Sequence, residues 1–190
     1  MNNDEDIVIT SAFRTPIGSF QGSLKDHKAT ELGTAVVKKC MEHSNLNGSE
    51  VDTVILGQVL QAGCGQNPAR QAAINSGIDK EKTATTINQV CGSGLAAITL
   101  GFNSLKLNDA NIVIAGGQES MTNSPHYLNF RMEQNLSEEK LKDTMLVDGL
   151  IDAYNDYHMG VTAENIAEKY QITRNDQDNF AFNSQRKAIK

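Results

Sequence analysis

Thr86-Ile87-Asn88-Gln89-Val90-Cys91-Gly92-Ser93-Gly94-Leu95-Ala96-Ala97 passes from β-branched residues, through one cysteine flanked by small residues, into a run of helix formers. Thr85–Val90 predicts a buried strand. Cys91-Gly92-Ser93-Gly94 predicts a sharp turn, and Leu95–Leu107 a helix that begins at once. The order strand, nucleophile, helix has the logic of a nucleophile elbow, although Gln89 stands where that motif has Gly. Unpaired N–H groups and the positive end of the dipole at a helix N-terminus favour a thiolate. The same N–H groups can hold the oxyanion formed when a thiolate attacks a thioester, and losing one such donor typically costs about 3 to 4 kcal/mol in the transition state. Gly92 and Gly94 leave room for a bulky acyl carrier. A cysteine packed at the start of a glycine-rich helix fits these residues too, since Cys is among the most buried residue types.

Working outward, Ile7–Ala12 predicts a buried strand closed by the turn residues Arg14-Thr15-Pro16 and Gly18. Leu32, Ala35, Val36 and Cys40 fall at helical spacing within Thr30–Met41. Val54-Ile55-Leu56 predicts a second strand. Gly63, Gly65 and Pro68 mark a loop before a helix over Ala69–Ile74, and Ile112–Ala115 predicts a fourth strand ended by Gly116-Gly117. Strands alternating with helices predict an α/β fold around a largely buried sheet. From Ser120 to Tyr157 the periodicity fades over a stretch too long for an ordinary connection, which predicts a functional excursion. Two helices follow. One carries the stripe Ala163, Ile166, Ala167 and Tyr170. The other, Asp176–Ile189, opens with the capping-box spacing of Thr173 and Asp176. Lys190 carries no C-cap signal, so the chain is expected to be incomplete as a fold.

The formal charge of −6 comes without any Lys/Arg run, which argues against a nucleic-acid partner. No stretch of about 18 apolar residues predicts a membrane span. The N-terminus Met1-Asn2-Asn3-Asp4-Glu5-Asp6 is acidic and lacks a signal-peptide pattern. Cys40, Cys64 and Cys91 are odd in number and widely spaced. A disulfide framework and a metal site are therefore not expected, and a cytoplasmic location is. Cys40 reads as helix packing, Cys64 as a loop thiol between glycines, and His27, His43 and His126 as surface or structural residues. A dinucleotide site would need G-x-G-x-x-G, but Ala97 takes the last glycine's place.

Asn88 to Leu95 resembles the active-site block of thiolases, with Cys91 at the position of the acylated cysteine. Further blocks resemble the same family in the same order. They are Thr10–Gly18, then Gly65–Ala73, then Ala115–Thr122 with Pro125-His126. Asp148-Gly149-Leu150 through Tyr157-His158-Met159-Gly160 and Thr162–Asn165 follow, and the last helix fits with Asn175–Asp178 leading to Ser184-Gln185.

The resemblance implies one αβα half of a five-layer αβαβα core, with residues 1–120 as the N-terminal α/β domain and 121–190 as the beginning of a loop (lid) domain. It implies acyl transfer, in which two acetyl-CoA condense to acetoacetyl-CoA and CoA, or the reverse thiolysis, through an acyl-cysteine on Cys91. The glycines after Cys91 look more like the acetoacetyl-CoA type than the long-chain type. Coenzyme A would come and go as part of substrate and product, with no permanently bound cofactor. By position, Leu150, His158 and Met159 resemble residues lining the pantetheine tunnel, as a flexible apolar wall with one hydrogen bond from the histidine. Plain loop packing is the other reading of these three. The family's activating His, water-positioning Asn and second Cys have no counterpart here. The 190 residues alone are therefore expected to condense little, and a homo-oligomer or a missing C-terminal half is the expected partner.

Overall fold

The computed structural model describes residues 6–131, 137 and 140–189. The chain forms two compact units, Met1–Gly149 and Leu150–Lys190. In the first, helix α1 (Ala29–Ser44) precedes strand β1 (Thr53–Gly57), helix α2 (Pro68–Asn75), strand β2 (Thr83–Ile87), helix α3 (Ser93–Lys106) and strand β3 (Val113–Gly117). The strands form a parallel sheet in the order β2-β1-β3, with Thr53 opposite both Thr83 and Val113.

Period-2 alternation divides the sheet into two faces. Val54 and Leu56 point to one side, where they join Val37 and Met41 of α1 and Ala69, Ala72 and Ala73 of α2 in the main core, flanked by Ala84, Ile112 and Ile114. Gly57, Val113, Ala115 and Gly117 point to the other side, against α3. The result is three layers, helix–sheet–helix. A Cβ on Gly101 would sit 3.1 Å from Val113 and 3.3 Å from Ala115, so α3 lies close on the sheet.

The expected strands and helices appear at β1, β3, α1, α2 and α3, within a few residues of the predicted bounds. Three expectations need correction. Ile7–Ala12 is not a strand: no ladder partner joins it among the described residues, and Val8 and Ile9 are 70% and 81% exposed. It runs beside Ser44, Leu46, Ile112 and Val113 without pairing to β3, held by a Thr10 Oγ1–Ser44 Oγ hydrogen bond of 3.0 Å. The strand before Cys91 is not buried either. As the sheet's edge, β2 alternates exposed and half-buried residues, and it stops at Ile87. On α1 the buried stripe is Ala29, Thr30, Gly33, Val37 and Met41, with Ala35 exposed and Cys40 only half-buried. The stripe is hard to see because Gly33 lies on it, where a Cβ would overlap the Gln118 side chain.

Two residues anchor α2 to β2. Asn67, at φ +40°, caps the helix by accepting from Arg70 N (3.2 Å), and Pro68 fills the first helical position, where a missing N–H costs nothing. Asn67 Nδ2 donates to Ala84 O (2.9 Å), while Thr86 Oγ1 donates to Asn67 Oδ1 (2.8 Å) and accepts from Ala69 N (2.8 Å). The Arg70 guanidinium donates to the carbonyls of Lys80 and Lys82 at the entry to β2.

The irregular stretch after residue 120 holds a two-stranded antiparallel ladder, β4 (His126–Tyr127) with β5 (Lys142–Asp143), and a π-helical turn over Met145–Leu150. Its midpart, 132–136 and 138–139, lies outside the described residues. In the second unit, α4 (Met159–Lys169) and α5 (Arg174–Ile189) are helical as expected, but neither buries a residue, so the stripe from Ala163 to Tyr170 is not a core face. The capping box is present: Thr173 N and Oγ1 donate to Asp176 Oδ2 at 3.1 and 2.6 Å, and Asp176 N donates back to Thr173 Oγ1 at 3.2 Å. These bonds hold the Asp176 carboxyl below its ordinary range.

Candidate active site

Between the end of β2 and the start of α3 the chain makes its sharp turn at Val90, not at a glycine. Val90 has φ +49°, in the left-handed region, whereas Gly92 has φ −82°. A β-branched residue there is strained by roughly 1–2 kcal/mol. Both polar groups of Val90 are fixed by side chains. Asn88 Oδ1 accepts from Val90 N at 2.8 Å, and Ser93 Oγ donates to Val90 O at 2.6 Å. Ser93 Oγ also accepts from Gln89 N at 2.8 Å, and Ser93 N donates to the same Val90 carbonyl at 3.1 Å. Ser93 is buried as the first residue of α3, with Gly92 as the N-cap.

Cys91 emerges from this turn as an exposed free thiol, one residue before the N-cap of α3. Among the described residues no hydrogen bond engages its sulfur. Of the N–H groups beside it, those of Gly92 and Ser93 are bonded to Gln89 O and Val90 O, each at 3.1 Å, and those of Gly94 and Leu95 follow in the first turn of α3. The reading of Cys91 as a packed core cysteine is thereby ruled out for this unit.

Glycines set the depth at which α3 starts. A Cβ on Gly57, the last residue of β1, would lie 2.5 Å from Ser93 Cβ and 2.6 Å from its carbonyl carbon. Gly117 of β3 faces Gly94, with a built Cβ 3.5 Å from Gly94 Cα. Here the glycines serve close approach of helix to sheet.

A polar layer lies at the same end of the strands. Gln118 Nε2 donates to Gln58 Oε1 (2.9 Å), and Gln58 Nε2 reaches Leu60 O (2.9 Å) and Cys64 Sγ (3.3 Å). The Glu119 carboxylate accepts from Val59 N (2.8 Å) and Leu60 N (3.2 Å). Burial raises its pKa above the ordinary range against the pull of those two N–H groups. Asn88 Nδ2 touches this loop at Val59 O, 3.5 Å away.

In the second unit, an antiparallel bridge between Ile151 and His158 places Leu150 and His158 at the same bend, with Met159 opening α4. His158 Nδ1 accepts from Gly160 N at 2.9 Å and so caps α4. That use of Nδ1 as an acceptor leaves Nε2 as the donor of the neutral ring. Leu150 is half-buried, His158 and Met159 are exposed, and Met159 lines a groove of about 430 Å³ between α4 and α5. The remaining histidines sit on the surface: His27 lies 3.7 Å from Glu31, His126 3.9 Å from Asp143, and His43 packs edge-on against Phe13.

Sequence reasoning passed over Asn88, Val90, Ser93, Gly57 and Glu119. Asn88 carried a usable signal, because Asn two residues before a turn position is the pattern of an Asx turn. The Glu119 contacts, sixty residues apart in the chain, carried none.

The sequence and the fold are similar to those of known proteins. Residues 7–190 match the family model described as "Thiolase, N-terminal domain". An acetyl-CoA acetyltransferase of Pseudomonas aeruginosa is 53% identical over 186 residues, covering 97% of this chain and 47% of the relative. One of Cupriavidus necator is 54% identical over 188 residues, covering 96% and 47%. Among solved structures, a thiolase from Ascaris suum in complex with coenzyme A superposes with a TM-score of 0.87 at 39% identity, covering 93% of this chain and 46% of that one. The chain spans about half the length of the curated relatives it matches. With the α/β fold, the turn at Val90 and the exposed thiol in place, the chain belongs to the thiolase family.

Proposed function

We propose that this chain is the nucleophile-bearing half of an acetyl-CoA acetyltransferase, with Cys91 as the residue that takes the acetyl group. The observation that carries the reading is the exposed Cys91 thiol beside the N-terminus of α3, on a turn held by Asn88 and Ser93. The Cys91 thiolate attacks the carbonyl carbon of acetyl-CoA. A new carbon–sulfur bond forms to Cys91, the bond to the CoA sulfur breaks, and CoA leaves as its thiol with the proton that Cys91 released. N–H groups at the start of α3 receive the oxyanion. The second acetyl-CoA then meets the acetyl-enzyme to give acetoacetyl-CoA, or the sequence runs in reverse as thiolysis. The names of the relatives and the coenzyme A complex of the Ascaris suum thiolase support this substrate class.

Leu150, His158 and Met159 are the proposed pantetheine contacts. The exposed Nε2 side of His158 and the Met159 groove are compatible with that role. Residues 121–190 are proposed as the beginning of the loop domain. The rest of the reading is a cytoplasmic enzyme of lipid metabolism, acting as an oligomer, with coenzyme A in substrate and product.

The test is incubation with acetyl-CoA followed by peptide mass spectrometry, alone and with the C-terminal half of a curated relative supplied as a second polypeptide. An acetyl adduct on the Cys91 peptide, absent in Cys91→Ser, is the expected result. No adduct under either condition would leave a non-catalytic CoA-binding or assembly module as the surviving account.

A further inference from the structure

We infer that Asn88 and Ser93 are positioning residues for Cys91: together they hold Val90 in the left-handed conformation that turns the thiol out of the fold. The inference rests on the proposed acyl transfer for its catalytic meaning, but its geometry stands apart from it. Val90 precedes Cys91 directly, so its φ and ψ set the direction in which Cys91 leaves the chain. Val is among the residues least suited to φ +49°, and at 46% exposure Val90 is not part of the buried core. Core packing therefore does not impose the conformation. Hydrogen bonds do: Asn88 Oδ1 takes the Val90 N–H, and Ser93 supplies two donors to the Val90 carbonyl, Oγ and backbone N. Ser93 can sit there only because Gly57 has no Cβ. Asn88, by contrast, is exposed, and its other bond, to Val59 O, is long at 3.5 Å. Its bond to Val90 is its strongest contact.

The experiment measures the rate at which iodoacetamide alkylates Cys91 in the native 190-residue chain, read peptide by peptide, with half-buried Cys64 as the internal reference. Asn88→Ala is expected to slow Cys91 about fivefold, the worth of one hydrogen bond, with Cys64 unmoved. Asn88→Ser keeps an oxygen acceptor two residues before the turn and is expected to hold the rate within about twofold. The decisive comparison is the Val90→Gly background, where glycine takes positive φ without strain and Asn88→Ala should have no further effect beyond about twofold. An unchanged rate in Asn88→Ala, or an equal loss in the Val90→Gly background, overturns the inference. Where Asn88→Ala alone does not fold by circular dichroism, the double variant should fold, and its failure to do so overturns the inference as well. Rates that follow the expected pattern while acetyl-CoA leaves no adduct on Cys91 uphold the positioning role and reject the acyl-transfer reading alone.

Discussion

Gly57, at the end of β1, and Ser93, at the start of α3, approach so closely that a single added methyl would overlap: a Cβ on Gly57 stands 2.5 Å from Ser93 Cβ. The strand end and the first turn of the helix share one space, and the Cys91 turn is built directly on that contact. Gly57→Ala is therefore expected to destabilise the chain by about 1–3 kcal/mol through overpacking, since backbone and not a flexible side-chain tip is in the way. A denaturant midpoint indistinguishable from the parent chain would show that α3 retreats at no cost.

Ser93 is 4% exposed, and its hydroxyl both accepts from Gln89 N and donates to Val90 O. Ser93→Ala takes the hydroxyl partner from the part-buried Gln89 N–H and one of two donors from the Val90 carbonyl, and returns no packing. The expected loss is about 1–3 kcal/mol, measured by urea unfolding, with an unchanged slope against denaturant. A loss confined to the change in slope would place the effect in the unfolded chain instead.

The three thiols differ in access. Cys91 is exposed, whereas Cys40 and Cys64 are half-buried, and Cys64 also receives the Gln58 amide and lies 3.5 Å from the Leu60 carbonyl. Brief treatment with a limiting alkylating agent should modify Cys91 first and most completely. Labelling of Cys40 or Cys64 ahead of Cys91 would contradict the exposure of the turn.

How far the chain could be read before its fold was known follows from the range of the forces involved. The strand at 53–57 and the helix after Cys91 were legible because apolar and β-branched runs act locally, and the Cys91 motif was legible because its small residues are contiguous. Ile7–Ala12 looked like a strand by the same rule, yet a strand exists only with a ladder partner, and its residues say nothing about whether one is at hand. The edge position of β2 was hidden for the same reason. Val90 was hidden because Val has no local preference for φ +49°; three hydrogen bonds override its propensity. Leu150, His158 and Met159 were named from the resemblance alone, while the capping bond from Gly160 N to His158 Nδ1 is a local feature that the helix start could have suggested.

Two carboxylates give the acid limb of stability opposite slopes. Asp52 binds the N-terminal ends of the strands: its carboxylate accepts from Asn111 N (2.7 Å) and Ile112 N (3.1 Å), and Lys82 Nζ lies 3.4 Å away. The Asn111 and Ile112 N–H groups, with lesser help from Lys82, hold its pKa below the ordinary 3.8. The unfolded chain then binds the extra proton, so this contribution is present in full above pH 3.8 and is lost as the pH falls through the lower folded value. With the side chain 31% exposed, Asp52→Asn should cost about 1 kcal/mol at neutral pH after solvent screening, and the difference from the parent chain should shrink below pH 3.8. Glu119 runs the other way, because burial raises its pKa above the ordinary 4.5. There the folded chain holds the extra proton, so stability falls as the pH rises from 4.5 through the folded value. Relative to Glu119→Gln, the parent chain should accordingly gain thermal stability as the pH is lowered toward 4.5. Melting temperatures of the parent and both variants across pH 3 to 8 (about that range, set by the ordinary carboxylate values) check both slopes. A parent chain that loses ground to Glu119→Gln on acidification would mean that the N–H groups of Val59 and Leu60 outweigh burial at that carboxylate.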